Sequence, residues 1–155
     1  MFLCNRLLCR NRARISIWQP MFIPLFVRAG LEIDENEECP EGLITCLELK
    51  DCRTEKTVGA AVLVYTENVY VMKAVAVEKE YRGNGLGVLL VREILNEAER
   101  RGADKVFLNA KIPDFYQKLG FEILQREKAP AISDCSTCSR YLHGCEPEIM
   151  VKKIS

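Results

Sequence analysis

Between Ala74 and Arg101 an apolar run, a glycine-rich turn and an amphipathic helix follow one another without a break. Ala74 to Val77 is β-type, and Glu78-Lys79-Glu80 is a short charged link. Tyr81-Arg82-Gly83-Asn84-Gly85-Leu86-Gly87 then opens a helix over Leu86 to Arg101. Within it, Val91, Ile94, Leu95 and Ala98 keep the spacing of one buried face, and Gly102 stops it. Glycines at alternate positions leave the main chain bare of Cβ atoms and free to take unusual dihedrals. A helix entered through such a turn presents unpaired N–H groups and a partial positive charge, which together hold phosphate. Arg82 sets a full positive charge beside them.

Two well-known phosphate loops are excluded by single residues. A dinucleotide fingerprint requires Gly or Ala three positions after its second glycine; that position is Val88. The nucleoside-triphosphate loop requires Gly-Lys followed by Ser or Thr, whereas Gly87 is followed by Val88 and Leu89. Arg82-x-x-Gly85-x-Gly87 between strand and helix remains, and it resembles the acetyl-CoA pyrophosphate loop of the GNAT superfamily of N-acetyltransferases.

A chain of 155 residues is sized for one domain with a sizeable core. Lys+Arg and Asp+Glu are both 22, so the net charge is zero, which argues against a nucleic-acid partner. No apolar run approaches the ~20 residues that span a bilayer. Residues 1–21 form a poorly defined N-terminal segment, with five arginines and no acid up to Gly30. Charges interrupt its apolar runs, so it is a poor secretory signal, and with Ser16 alone it is not serine-rich as an organelle transit peptide is. The expected location is cytoplasmic, where the eight cysteines read as thiols, metal ligands or redox groups.

Taken in order, Ala13 to Trp18 reads as a short strand, and Phe22 to Ala29 as a compact apolar segment that Gly30 can stop. Leu43 to Leu49 reads as a strand. Val58 to Tyr65 and Val69 to Val77 flank Thr66-Glu67-Asn68 and predict an antiparallel hairpin. After the long helix, Val106 to Leu108 reads as a buried central strand. Pro113 can open a short helix over Phe115 to Leu119, and Gly120 can close it. Phe121 to Leu124 and Ile149 to Ile154 read as strands around the irregular stretch Arg126 to Pro147. Runs of strands with separate helices predict an α+β fold, here a single domain over residues 22–155.

Two further blocks strengthen the resemblance. Val106 to Asn109 is similar to the family's fifth strand. Phe115-Tyr116-Gln117-Lys118-Leu119-Gly120-Phe121 is similar to its Phe-Tyr-x-Lys-x-Gly-Phe segment. The resemblance implies a GNAT-like mixed, mostly antiparallel central sheet with flanking helices. It implies transfer of an acetyl group from acetyl-CoA, as co-substrate, to a primary amine of a small molecule or peptide by direct attack. It puts Val75, Ala76 and Val77 beside pantetheine, and Arg82, Gly83, Asn84, Gly85, Leu86 and Gly87 around the pyrophosphate. Asn109 matches a cofactor-contacting position, and Tyr116 matches the acid that protonates the departing thiolate. An unperturbed phenol, near pKa 10, is close enough to a thiol to serve.

No base is apparent. Some family members carry a Glu where ungapped alignment gives Val71. Nearby Lys73 reads either as a solvated strand lysine or as a group that attracts an anionic acceptor. The missing base leaves a second reading open: a non-catalytic acyl-CoA-binding or protein-interaction module. Its carrier would be the loop holding Cys135, Cys138 and Cys145 with His143, the sole histidine. Cys-x2-Cys begins like a zinc knuckle, but the final one-residue gap does not complete it. Three cysteines with a distant ligand such as Cys39, a Cys135–Cys138 redox pair and free thiols all remain open. By resemblance the loop borders the acceptor side of the cleft. The oligomeric state is open.

Overall fold

The computed structural model describes residues 14–16, 25, 42–51, 54, 56–83, 85–130 and 148–154. Their strands are β1 (Arg14–Ser16), β2 (Leu43–Lys50), β3 (Thr57–Thr66), β4 (Val69–Val77), β5 (Lys105–Ala110), β6 (Glu122–Ile123) and β7 (Glu148–Lys153). Among the described residues, α1 (Leu86–Arg100) and α2 (Pro113–Gln117) are the helices of more than one residue, with single 3₁₀ turns at Lys79–Tyr81 and Arg126–Lys128. The strands lie in one sheet in the order β1-β2-β3-β4-β5-β7-β6. Every neighbouring pair is antiparallel except β4–β5, which is parallel. This is the mixed, mostly antiparallel sheet that the resemblance implies. Residues 14–16, from the segment expected to be ill defined, pair with β2.

The sheet has a core on each face. β3 is buried almost throughout, as its continuous apolar run Val58 to Val64 requires of a strand covered on both sides. On one face Leu49, Val58, Leu63 and Met72 meet α1 through Leu86, Leu90, Val91, Ile94 and Ala98. On the other, Cys46, Ala60, Val62, Val71, Ala74 and Phe107 pack with Leu25, the one described residue of Phe22 to Ala29 and a helical one. The expected α1 stripe holds for Val91, Ile94 and Ala98. Leu95 is only partly buried, because the i+4 row Leu86-Leu90-Ile94-Ala98 faces the sheet and Leu95 lies on its flank. Glu97 is buried in α1 and bonded by Arg100 at 3.0 Å and Arg101 at 3.2 Å.

Two local features shape β4. Glu67 and Asn68 both have positive φ, 51° and 63°. This makes the β3–β4 connection a two-residue turn whose twist matches the strands. Farther along, Val62 pairs with Ala74 but Leu63 pairs with Met72, so Lys73 is an extra residue, a β-bulge. It resets the side-chain alternation: Met72, Val75 and Val77 face α1, whereas Ala74 and Ala76 face the opposite core.

Cys46 is wholly buried in β2 as a free thiol. Burial first, and then the Glu48 carboxylate, push its pKa up to about 12. At about pH 8 its thiolate fraction is then about 10⁻⁴, and the thiolate is the reactive form. Iodoacetamide on the native protein is expected to leave Cys46 unlabelled until the chain is unfolded, as read by peptide mass mapping. Labelling of Cys46 in the folded protein would contradict this.

Candidate active site

The parallel register of β4 with β5 ends after two pairs, Tyr70↔Val106 and Val71↔Phe107. Beyond them the strands diverge, since β4 continues to Val77 and β5 to Ala110 without pairing with each other. A cleft of about 570 Å³ occupies the gap. Met72 to Val77 form one wall, Leu108 and Asn109 the other, and the start of α1 closes one end. α2 contributes Phe115 and Tyr116.

The α1 end is built to accept an anion. Gly85 is the residue before the helix and has φ 77°, the left-handed region open to glycine. It offers no side-chain cap, and the first turn has no acidic residue. Leu89 N–H donates the first intrahelical bond, to the Gly85 carbonyl at 3.0 Å. The earlier N–H groups of the helix therefore have no partner within it. A Cβ built on Gly83 or Gly85 would meet nothing within 4 Å, so the concavity is not needed for packing within the protein.

The loop is held from behind. Tyr81 Oη donates to Asp51 Oδ2 at 2.6 Å, tying the loop to the β2–β3 connection. Arg82 Nε donates to the Val77 carbonyl at 2.9 Å, which fixes the guanidinium beside the end of β4. Gly87 lies in the first turn of α1, and a Cβ on it would only touch Phe115, at 3.4 Å.

Tyr116 is set between two rings, edge-on to Phe115 at 5.0 Å and to Phe121 at 5.7 Å. Burial pushes its phenol up to about 12, so it stays protonated well above neutrality. This departs from the unperturbed value assumed from sequence. Charged residues lining the cleft are Lys73, Arg82 and Lys111, and no carboxylate is among the described lining residues. Val71 belongs to the core on the opposite face.

Of the residues predicted from sequence, Val75, Ala76, Val77, Arg82, Gly83, Gly85, Leu86, Gly87, Asn109 and Tyr116 all line this one cleft. Asn84 lies outside the described residues, as do Cys135, Cys138, Cys145, His143 and Cys39. Among the described residues no three His, Cys, Asp or Glu side chains are grouped to hold a metal ion. No described helix is long and apolar enough to cross a membrane.

The sequence profile of the acetyltransferase (GNAT) domain matches residues 42–123. The chain belongs to the GNAT family. An uncharacterised N-acetyltransferase of Chlorobaculum tepidum is 27% identical over 96 residues, 61% of this chain and 61% of that protein. A Bacillus subtilis acetyltransferase solved in complex with CoA superposes with a TM-score of 0.68 at 19% identity, over 94% of this chain and 99% of the other. N-acetylglutamate synthase from Neisseria gonorrhoeae, complexed with coenzyme A and N-acetyl-glutamate, superposes with a TM-score of 0.70 at 18% identity. That match takes in 93% of this chain and 34% of the synthase. The chain thus spans about three fifths of the curated relative and a third of the synthase.

Sequence reasoning passed over several GNAT cleft residues: Met72, Leu108, Lys111, Ile112 and Phe115. Phe115 was within reach, since it opens the Phe-Tyr segment beside Tyr116. Lys111 and Ile112 sit in the link between β5 and α2, where no periodicity marks them. Ile112 is 66% exposed at the cleft.

Proposed function

We propose that the chain is an N-acetyltransferase that moves an acetyl group from acetyl-CoA directly to a primary amine of a small molecule or peptide. The observation that carries this reading is the cleft between β4 and β5, which ends on the uncapped, glycine-lined start of α1. Acetyl-CoA would supply the thioester carbonyl and depart as a thiolate. The unpaired N–H groups of Leu86 and Gly87 with the Arg82 guanidinium suit its pyrophosphate. Main-chain groups of Val75 to Val77 suit the pantetheine amides, one N–H polarising the carbonyl under attack. Asn109 lies on the facing wall.

Tyr116 is the proton donor in this scheme. A phenol near 12 is always charged with its proton, but complete transfer to a thiolate whose thiol titrates near about 8.5 runs uphill. Tyr116 therefore acts first as a hydrogen-bond donor to the sulfur as negative charge develops, and passes the proton as the thiolate leaves, the phenolate regaining a proton from water. With no carboxylate on the described walls, the proton of the incoming ammonium leaves through water.

The deciding experiment pairs isothermal titration of acetyl-CoA and CoA with a thiol-release screen over amines, amino acids and peptides. Micromolar binding with release on at least one acceptor is expected. Absence of binding sinks the reading, and binding without turnover on any acceptor favours the non-catalytic module.

A pH profile follows from the raised phenol. The proton donor is active when protonated, so a raised pKa extends its working range upward. kcat/KM is expected to rise as the acceptor ammonium loses its proton, with no falling limb below about pH 11. A decline setting in near about pH 9 would show that Tyr116 is not the buried donor described.

A further inference from the structure

The geometry points to Lys152 as the residue that positions Tyr116, acting from β7 through the carbonyl end of α2; this rests on the proton-donor reading of Tyr116. α2 has five residues, none of them fully buried, and Ile112 gives it no side-chain cap. So short a helix does not hold its own shape, so the direction of the Tyr116 ring is set from outside it.

The end of α2 is tightly arranged. The Tyr116 carbonyl accepts from Leu119 N–H at 3.0 Å and from Phe121 N–H at 3.1 Å, and the Gln117 carbonyl accepts from Gly120 N–H at 3.0 Å. The Leu119 carbonyl instead accepts from Lys152 Nζ at 2.8 Å, a part-buried bond across 33 positions of the chain. A cation at the carbonyl end of a helix is favoured. Gly120 makes room for it. Its φ is 93°, and a Cβ there would collide with the Lys152 ammonium. Lys152 is itself anchored, because its register partner is Val106 of β5, the strand that carries Asn109. One side chain therefore ties the Tyr116 helix to the wall of the cleft that faces β4.

The consequence is specific to chemistry. A donor must come within about 2.6–3.2 Å of its acceptor, and a misplacement of about 1 Å can cost about 10²-fold. The anion-holding groups are in the turn from Arg82 to the start of α1, and Lys152 is not among the residues that line that cleft. Loss of the contact should reach turnover before it reaches CoA binding.

The test is a double-mutant cycle on the full chain, with Lys152→Met and Tyr116→Phe. Turnover is read as CoA release from acetyl-CoA with hydroxylamine as the acceptor, and binding by titration of CoA. Lys152→Met alone is expected to lower kcat about tenfold with CoA affinity changed less than about twofold. In the Tyr116→Phe background it is expected to lower kcat by less than about twofold, because coupled residues do not add. Losses that add, an unchanged kcat, or an equal loss of CoA affinity overturn the positioning role and leave the donor reading of Tyr116 standing. Wild-type turnover by Tyr116→Phe alone removes the donor reading, and the positioning role with it. Gly120→Asn supplies a second arm that decides if Lys152→Met does not fold. Asparagine tolerates positive φ, yet its Cβ displaces the ammonium with the lysine still present. The same non-additive signature is expected, and its absence overturns the proposal.

Discussion

Tyr116→Phe is expected to lower kcat by about 10²–10⁴-fold, the span of a general acid, while CoA binds as before. The ring keeps its edge contacts with Phe115 and Phe121, so packing survives and only the proton donor is removed. Stopped-flow or steady-state thiol release, under conditions where chemistry limits the rate, gives the number. Equal turnover by the variant would take Tyr116 out of the mechanism. Unchanged CoA affinity separates this from a defect in folding, because only an interaction made in the chemical step is removed.

Gly85→Val is expected to weaken CoA binding by about 5–30-fold, since displacing a left-handed residue costs about 1–2 kcal/mol and turns the following amides away from the ligand. A β-branched side chain at φ 77° is disfavoured, so the loop must rearrange to accept it. Gly85→Asn isolates a separate contribution, obstruction of the ligand by a side chain at this position. Asparagine accepts the dihedral, and its Cβ would meet nothing in the protein itself. Any loss of affinity with unchanged melting temperature then reports obstruction of the ligand. Isothermal titration with CoA reads both variants. Wild-type affinity in both would separate the glycine turn from phosphate binding.

The parts of this site that were legible in sequence are those whose chemistry is written in consecutive residues. Tyr81 to Gly87 needs only its own glycines and the helix after it. Phe115 to Phe121 carries its aromatic pair and its stop signal together; Arg82, Gly83, Gly85, Leu86 and Gly87 of the first block and Phe115 and Tyr116 of the second line the cleft. What depends on pairing was not legible. The Lys73 bulge is one extra residue in an otherwise continuous strand, and nothing in Val-Met-Lys-Ala-Val marks it; only the register with β3 shows it. The early end of β4–β5 pairing is likewise a property of two strands separated by a helix. Lys152 reads as an ordinary charge near the end of β7 until Leu119 and Gly120 are set beside it. β6 is one residue shorter at each end than the sequence suggests, Glu122–Ile123, although Leu124 N–H still donates to the Ile149 carbonyl at 2.8 Å.

The parting of β4 and β5 bears on how the sheet exposes unpaired backbone groups without offering an edge. A strand with open N–H and C=O groups is ordinarily found at a sheet's border, where it invites strand addition from other chains and aggregation. Here such groups lie in the middle of the sheet, on two lips that β3 and β7 flank on their outer sides. A second protein chain cannot reach them edge-on, but a slender ligand can lie between them. The molecule keeps the hydrogen-bonding capacity of an exposed edge and hides it where only something thinner than a strand of a folded neighbour can use it.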